Sequence, residues 1–141
     1  MTLEEKQKEI IEEFQMFDDW MDKYNYLIEL SKDLQEMSQE QKTADNLIEG
    51  CQSKVWLHAE LDNGKLKFSA DSDAIITKGI IALLIEVLSG RTPKEIKDVD
   101  LHFIDQIGLK ENLSPTRSNG LVSMINKIKA YAMAYDAKQK Q

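Results

Sequence analysis

Cysteine and histidine are scarce in this sequence, and their scarcity excludes several kinds of site. The 141 residues include one cysteine, Cys51, and two histidines, His58 and His102. A single thiol cannot form an internal disulfide, and no Cys-x-x-Cys or His-x-x-x-His spacing is present to bind a metal ion. Glycine-rich phosphate loops and dinucleotide fingerprints are also absent. By elimination the Cys51 thiol is the candidate reactive group, and one cysteine is typical of a reducing compartment.

Long apolar runs and a basic N-terminus are lacking as well. The longest apolar stretch, residues 75–88, is interrupted by Lys78 and Glu86. It is also shorter than the roughly 20 residues that span a bilayer. Residues 1–5 are too acidic for a signal or transit peptide. We therefore expect a soluble, cytoplasmic protein that has no membrane partner.

Positive charge is scarce in the first part of the chain. The 18 basic and 25 acidic side chains give a net charge of −7, and residues 1–50 alone hold 14 acids and five bases. Phosphate binding requires clustered Lys and Arg, so we expect no nucleic-acid partner. The acidic residues are interpreted first as the solvated faces of helices.

The first third of the chain has the pattern of two amphipathic helices and a polar connection. Thr2 with Glu5 three residues later is a capping-box signal, and apolar residues then recur at helical spacing. Asp18 and Asp19 interrupt that pattern and can cap a second helix. Residues 38–46 are polar and without period, which predicts a loop with one short helical turn.

An Asn63-Gly64 pair predicts a tight β-hairpin. A type I′ turn requires positive φ at both central residues, and Asn-Gly commonly provides it. The resulting register pairs Asp62 with Lys65, Leu61 with Leu66, Glu60 with Lys67, Ala59 with Phe68 and Leu57 with Ala70. Every pair joins two apolar residues or two opposite charges, as a correct register should. The apolar positions 57, 59, 61, 66, 68 and 70 are expected to face the core.

The segment after the hairpin predicts a buried central helix. The Asp71–Asp73 segment offers caps for a helix from 74 to about 89. That helix is apolar nearly all round, which is typical of the buried centre of a fold. Gly79 lies within it and costs about 1 kcal/mol of helix propensity, so it is interpreted as a site of close packing.

The remaining elements complete an α+β fold. A Thr-Pro pair at 92–93 starts a short helix, and a Ser-Pro pair at 114–115 opens the last one. Residues 99–103 alternate briefly, which predicts a short third strand, with a helical turn as the alternative. We expect a small antiparallel β-sheet packed with helices, in one domain that covers residues 1–141.

Cys51 lies where a loop meets the first hairpin strand. Gly50 signals a turn before it, and an alternating apolar pattern begins at Ser53. A thiol at such a junction can meet a partner, although junction cysteines are often bystanders, so both interpretations stay open. An extended chain would place His58 roughly 20 Å from Cys51 and on the opposite face, which excludes it as a base. His102 is interpreted as a structural histidine.

Two sequence strings together resemble a known family. Residues 46–56, Asn-Leu-Ile-Glu-Gly-Cys-Gln-Ser-Lys-Val-Trp, are similar to the cysteine motif of the SufE family of sulfur-acceptor proteins. The similarity continues at 71–74 and 78–79, and again at 113–120, Leu-Ser-Pro-Thr-Arg-Ser-Asn-Gly. It covers nearly the whole chain in the same order and spacing. The pairing of these two strings is specific to the family.

The resemblance implies a sulfur carrier for iron–sulfur cluster assembly. In the family, the cysteine that matches Cys51 accepts persulfide sulfur from a SufS-type cysteine desulfurase, stimulates that enzyme and delivers sulfur to a Suf scaffold complex. Pyridoxal phosphate belongs to the desulfurase, so no cofactor is expected on this chain. The family fold is α+β and similar to the IscU-type scaffold. The chain would then be a sulfur-transfer accessory protein rather than a stand-alone enzyme.

A single cysteine limits the part that this chain can take in such a system. An iron–sulfur cluster needs about four ligands, mostly thiolates, so Cys51 can move sulfur but cannot hold a cluster. A persulfide is easily reduced or oxidised. We therefore expect Cys51 to be sheltered against Leu47, Val55 or Trp56 in the free protein, and to swing out at the desulfurase.

Five further residues are candidates for the loop or the partner interface. Gly50 is expected to provide the backbone geometry of the loop. Gln52 and Ser53 are expected either to offer hydrogen bonds near the thiolate or only to shape the turn. Asp73 is most simply a helix cap, with a place beside the cysteine as the alternative. Arg117 lies in the first turn of a predicted helix, where a cation is unfavourable, so a partner contact is favoured as much as an ion pair.

Two other functions stay open from the residues alone. An independent cysteine enzyme would need a base within hydrogen-bond reach of Cys51. A non-catalytic adaptor would bind a basic partner through its acidic helices, with Cys51 incidental, and salt would weaken that binding.

Overall fold

Helices surround one β-hairpin in the computed structural model, which describes residues 1–34 and 37–139. The helices are α1 Leu3–Gln15, α2 Trp20–Asp33, α3 Ile75–Leu88, α4 Pro93–Asp98, α5 Phe103–Gln106 and α6 Pro115–Gln139. The strands are β1 Val55–Asp62 and β2 Lys65–Ser72, and they pair antiparallel. Short 3-10 turns cover Gln39–Gln41, Ala44–Asn46 and Lys110–Asn112. The predicted α+β class is confirmed.

The first two helices begin at the predicted caps. Thr2 Oγ1 accepts a hydrogen bond from Glu5 N at 3.1 Å, and Thr2 N donates to Glu5 Oε1 at 3.3 Å. Asp19 Oδ1 accepts from Asp22 N at 3.0 Å. These bonds satisfy N–H groups that the first turn of a helix leaves without an intrahelical partner.

The hairpin has the predicted register at every pair, and Asn63 and Gly64 have φ angles of 51° and 80°. One predicted core position is wrong, because Leu61 is 38% exposed. Burial in β1 ends at Ala59, and the three residues that follow are all exposed. Its cross-strand partner Leu66 is fully buried, so near the turn the β2 side of the hairpin is covered and the β1 side is not.

The predicted third strand over 99–103 is wrong. In the described residues the sheet has two strands, and its edges are met by isolated bridges from Leu47 and Arg91. The fully buried side chain of Gln7 bonds the backbone of the 99–103 segment instead: its Nε2 donates to Asp100 O and its Oε1 accepts from Phe103 N, both at 3.2 Å. Backbone groups that a strand would pair are thus satisfied by a side chain.

Helix α3 forms the buried centre, as predicted. Nine of its 14 residues are buried, and a Cβ added at Gly79 would lie 2.4 Å from Leu27 O of α2. The predicted cap at Asp71–Asp73 is wrong, since β2 runs through Ser72 and the N-cap residue, Ala74, makes no side-chain cap bond. The backbone N–H of Ala74 itself donates to Ser72 Oγ at 3.2 Å.

Helix α6 packs against strand β1 of the hairpin and contributes residues to the candidate site described below. Ser114 Oγ accepts from Arg117 N at 3.2 Å, so this helix opens where the sequence predicts. Tyr131 Oη donates to Leu57 O at 3.1 Å, and Tyr135 Oη donates to Ala59 O at 3.2 Å. These bonds attach α6 to β1. No helix within residues 1–34 and 37–139 combines the length and apolar character needed to cross a membrane.

Candidate functional site

Cys51 lies in a short loop, residues 49–54, that we call the cysteine loop. The loop is closed at its base where Ile48 N donates to Val55 O at 2.8 Å. Strand β1 begins at Val55 rather than at the predicted Ser53. Cys51 therefore lies in a loop whose two ends are held together by a backbone hydrogen bond. This is the loop-to-strand junction that we expected.

The backbone of the cysteine loop depends on Gly50, as predicted. Its φ is +95°, a conformation that residues with a side chain rarely adopt. A Cβ added there would lie 2.4 Å from Ser123 Oγ of α6. Glycine at this position therefore serves two needs, the left-handed backbone and the close approach of the loop to the helix.

The thiol of Cys51 is half-buried and faces α6. Its Sγ lies 3.7 Å from the carbonyl oxygen of Gly120, within the range of a weak S–H···O hydrogen bond. Burial raises the pKa of this thiol above its ordinary value. The free protein consequently holds Cys51 as a protonated, weakly nucleophilic thiol at neutral pH.

Beside the thiol is a pocket of about 80 Å³ between the cysteine loop, α3 and α6. It is lined by Cys51, Gln52, Ser53, Thr77, Ile80, Thr116, Arg117, Gly120 and Met124. The predicted neighbours Leu47, Val55 and Trp56 do not line it, and packing of Cys51 against them stays a prediction. The alternation of β1 directs Val55 into the core, where it is fully buried, and Lys42 Nζ lies 5.4 Å from the ring centroid of Trp56.

The lining of this pocket, taken over the described residues, contains no histidine and no carboxylate. His58 lies on β1 opposite Ser69. His102 Nε2 lies 2.8 Å from Glu4 Oε2, so this ring is a structural link between the start of α5 and α1, as interpreted from the sequence. A cysteine enzyme needs a base within reach of its thiol, and this pocket does not supply one.

Asp73 ties the cysteine loop to the end of the hairpin. Its Oδ1 accepts from Lys54 N at 3.0 Å, and its own N–H donates to Lys54 O at 3.2 Å. Asp73 is therefore not the helix cap that was the simpler prediction. The alternative prediction, a place beside the cysteine loop, describes the structure.

Arg117 adds a cation to the lining of the pocket. The residue is exposed, and no carboxylate of residues 1–34 and 37–139 lies within 4.0 Å of its guanidinium. Gln52 and Ser53 line the same pocket. The structure thus brings four predicted residues together, counting Cys51, and Gly50 and Asp73 shape the loop that carries the thiol.

Sequence reasoning missed the contributions of α3 and of the interior of α6. Thr77 and Ile80 face the pocket from α3, whose uniformly apolar pattern hides which residues meet the loop. Gly120 and Met124 face it from α6. A signal for Gly120 was present, because a glycine inside a long helix lowers helix stability and calls for a packing reason.

Comparisons with known proteins identify the family of this chain. The SufE family, described as an Fe-S metabolism associated domain, matches residues 8–132. An uncharacterized SufE-like protein of Rhizobium meliloti is 43% identical over 129 residues, which are 88% of this chain and 92% of that protein. Another uncharacterized SufE-like protein, from Synechocystis sp., is 38% identical over 98% of this chain and 87% of its own length.

A solved structure supports the fold. The solution structure of a hypothetical protein from Thermus thermophilus has a TM-score of 0.76 and covers 92% of this chain and 94% of its own, at 23% identity. That likeness concerns the fold alone, whereas the family match covers most of the chain. The chain belongs to the SufE family, whose domain is associated with Fe–S metabolism.

Proposed function

We propose that this protein accepts and carries sulfur for iron–sulfur cluster assembly, with Cys51 as the transfer site. The donor is the persulfide of a SufS-type cysteine desulfurase. The Cys51 thiolate attacks the terminal sulfur of that persulfide, a new S–S bond forms at Cys51, and the desulfurase thiolate leaves as the old S–S bond breaks. No net oxidation occurs, and the proton lost by Cys51 balances the one gained by the leaving thiolate.

The observation that carries this proposal is the half-buried thiol beside a pocket of about 80 Å³. The terminal sulfur of a persulfide lies about 2 Å from the sulfur that bears it. The pocket therefore has room for one more sulfur atom, within walls formed in part by Ile80 and Met124. Such walls restrict the access of water-borne reductants to a labile persulfide.

The raised pKa of Cys51 also suits a carrier. Burial keeps the thiol protonated in the free protein, so it reacts slowly with stray electrophiles. Transfer then requires movement of the cysteine loop toward the desulfurase, which exposes the sulfur and removes the cause of the raised pKa. The bonds at Val55 and Lys54 hold the base of the loop, so the movement would be confined to residues 49–53.

The partners in this proposal are those that the SufE family implies. The desulfurase would supply pyridoxal phosphate, and this chain needs no cofactor for a thiol exchange. The recipient would be a Suf scaffold complex; one thiol cannot provide the roughly four ligands of a cluster, so the cluster must form on another protein. Arg117 is exposed and lines the pocket, which supports a contact with the partner or with the anionic persulfide as the loop opens.

The test is desulfurase turnover with wild-type protein and with Cys51→Ser. The acceptor function predicts that the wild type stimulates turnover and that Cys51→Ser does not, although it keeps the same circular dichroism and the same affinity for the desulfurase. Full stimulation by Cys51→Ser would contradict the proposal and favour an adaptor that acts through its acidic helices. Sulfur release from substrates by this protein alone would instead favour an independent enzyme.

A further inference from the structure

One turn of α6 forms the surface against which the cysteine loop rests. Ser123 meets Gly50, while Gly120 and Met124 meet Cys51 and its pocket. Residues three and four apart lie on the same face of a helix, so these three α6 residues form one contact surface for the cysteine loop. Gly120 is the member without a side chain, and it is buried.

We infer that Gly120 is the positioning residue of this site, because its missing side chain sets how deeply the Cys51 thiol lies against α6. The three heavy atoms nearest to a Cβ built at Gly120 all belong to Cys51: Sγ at 3.3 Å, Cβ at 3.8 Å and Cα at 3.9 Å. The thiol of Cys51 can thus approach α6 closely because Gly120 has no methyl group there.

The distance to Sγ decides the effect of a side chain at this position. A separation of 3.3 Å is shorter than ordinary carbon–sulfur contact, so the thiol would have to move away by a few tenths of an ångström. The cysteine loop can yield more easily than α6, which is bonded to β1 through Tyr131 and Tyr135. A side chain at 120 therefore pushes the thiol outward and lengthens its contact with the Gly120 carbonyl oxygen.

The backbone offers a second reason to assign this role to Gly120. Glycine in a helix interior lowers helix stability, since the unfolded chain gains conformational freedom. Gly79 in α3 has a packing reason of this kind in its approach to Leu27. At Gly120 the three nearest atoms belong to Cys51, not to a neighbouring helix, so the glycine permits the close approach of the thiol.

This inference rests on the proposed sulfur transfer, because it concerns what limits access to the Cys51 thiol. Its test, however, needs no desulfurase. The variants are Gly120→Ala and, as a matched control, Asn119→Ala, which changes the exposed neighbour in the same helix. The measurements on each free protein are the rate of Cys51 alkylation by iodoacetamide at neutral pH and the thiolate absorbance as a function of pH.

We expect Gly120→Ala to react at least about threefold faster than wild type and its thiol to titrate at lower pH, because the sulfur is less buried. Asn119→Ala should match the wild type in both measurements. Equal or slower alkylation in Gly120→Ala, or an unchanged titration, would overturn the inference.

A double-mutant cycle keeps the inference testable if Gly120→Ala folds poorly. Removing Sγ with Cys51→Ala should remove most of the destabilisation caused by Gly120→Ala, so the double variant should fold like Cys51→Ala alone. An equal loss of stability in both backgrounds would contradict the role of Gly120. If these results hold but no sulfur reaches Cys51 from a desulfurase, the proposed function fails while the positioning role stands.

Discussion

Lys54 and Asp73 exchange two hydrogen bonds that join the end of the cysteine loop to the end of β2. Lys54 N donates to Asp73 Oδ1 at 3.0 Å, and Asp73 N donates to Lys54 O at 3.2 Å. Together with the bond from Ile48 to Val55, this pair limits the part of the loop that can move. Asp73 is thus tied to the cysteine loop through the backbone of Lys54.

Asp73→Ala should loosen the cysteine loop. The change leaves Lys54 N without its acceptor, which should lower the free energy of unfolding by about 1 kcal/mol. The rate of Cys51 alkylation in the free protein should rise several-fold, because the loop samples open conformations more often. Asp73→Asn is the matched control, since its amide oxygen can still accept the bond. Unchanged alkylation in Asp73→Ala would show that this bond pair does not restrain the loop.

The stability of the protein should fall as the pH rises past the ordinary pKa of a thiol. Burial raises the pKa of Cys51 in the folded state, so in that pH interval the unfolded chain has lost the proton that the folded chain retains. The stabilisation is fully present below the unfolded pKa and is lost as the pH rises through the folded pKa. Urea unfolding over this range measures it.

Cys51→Ser is the control for this pH effect, because serine does not titrate there. The difference in unfolding free energy between wild type and Cys51→Ser should decrease with rising pH across the interval. A difference that stays constant or grows would mean that the thiol is not held protonated by burial.

Arg117→Ala should slow sulfur transfer from the desulfurase without changing the reactivity of Cys51 in the free protein. Burial is the cause of the raised pKa of Cys51, and Arg117 itself is exposed. The alkylation rate of the free variant should therefore stay within about twofold of wild type, whereas sulfur transfer from the desulfurase should slow about tenfold. Arg117→Lys should recover part of the transfer rate, since it keeps the charge. The reverse pattern, altered alkylation with normal transfer, would place the role of Arg117 in the resting site.

Gly79→Ala should destabilise the protein although alanine is the better helix former. An added Cβ would lie 2.4 Å from Leu27 O and 2.8 Å from Leu27 C, so α2 and α3 must separate. Overpacking of this kind costs about 1–3 kcal/mol, against a gain of about 1 kcal/mol in helix propensity. Urea unfolding should show a net loss of stability for Gly79→Ala and little change for Asn25→Ala on the exposed face of α2. A stabilised Gly79→Ala would contradict the close contact.

Local patterns predicted the elements that local chemistry determines. The Asn63-Gly64 turn gave the complete hairpin register, because positive φ at two adjacent residues leaves one arrangement of the strands. Thr2 and Asp19 marked the starts of two helices for a similar reason, since each side chain bonds an N–H three residues away.

Errors occurred where a distant segment competes for the same backbone groups. Residues 99–103 alternate like a strand, but Gln7, more than 90 residues away, bonds the groups that a strand would pair. Asp73 has the local pattern of a helix cap, but its carboxylate accepts a hydrogen bond from Lys54 N instead. A cap preference is worth about 1 kcal/mol, so a tertiary hydrogen bond of similar strength can replace it.

The residues of the cysteine loop and Arg117 were predicted for the candidate site, whereas the parts of its wall from α3 and from the interior of α6 were missed. Cys51, Gly50 and Arg117 were identifiable from residue type and from the resemblance. Gly120 and Met124 approach the thiol across 69 or more residues of sequence, and this approach depends on how α6 packs against β1. Such contacts have no local period for a sequence pattern to reveal.

Whether Cys51 accepts sulfur can be read from the intact mass of this protein after incubation with a SufS-type cysteine desulfurase and cysteine, followed by peptide mapping. We expect a gain of one or more sulfur atoms on the peptide that contains Cys51, removed by reductant and absent in Cys51→Ser. No gain in mass with a desulfurase shown to be active would contradict it, and the chain would then be a SufE-family protein that does not carry sulfur.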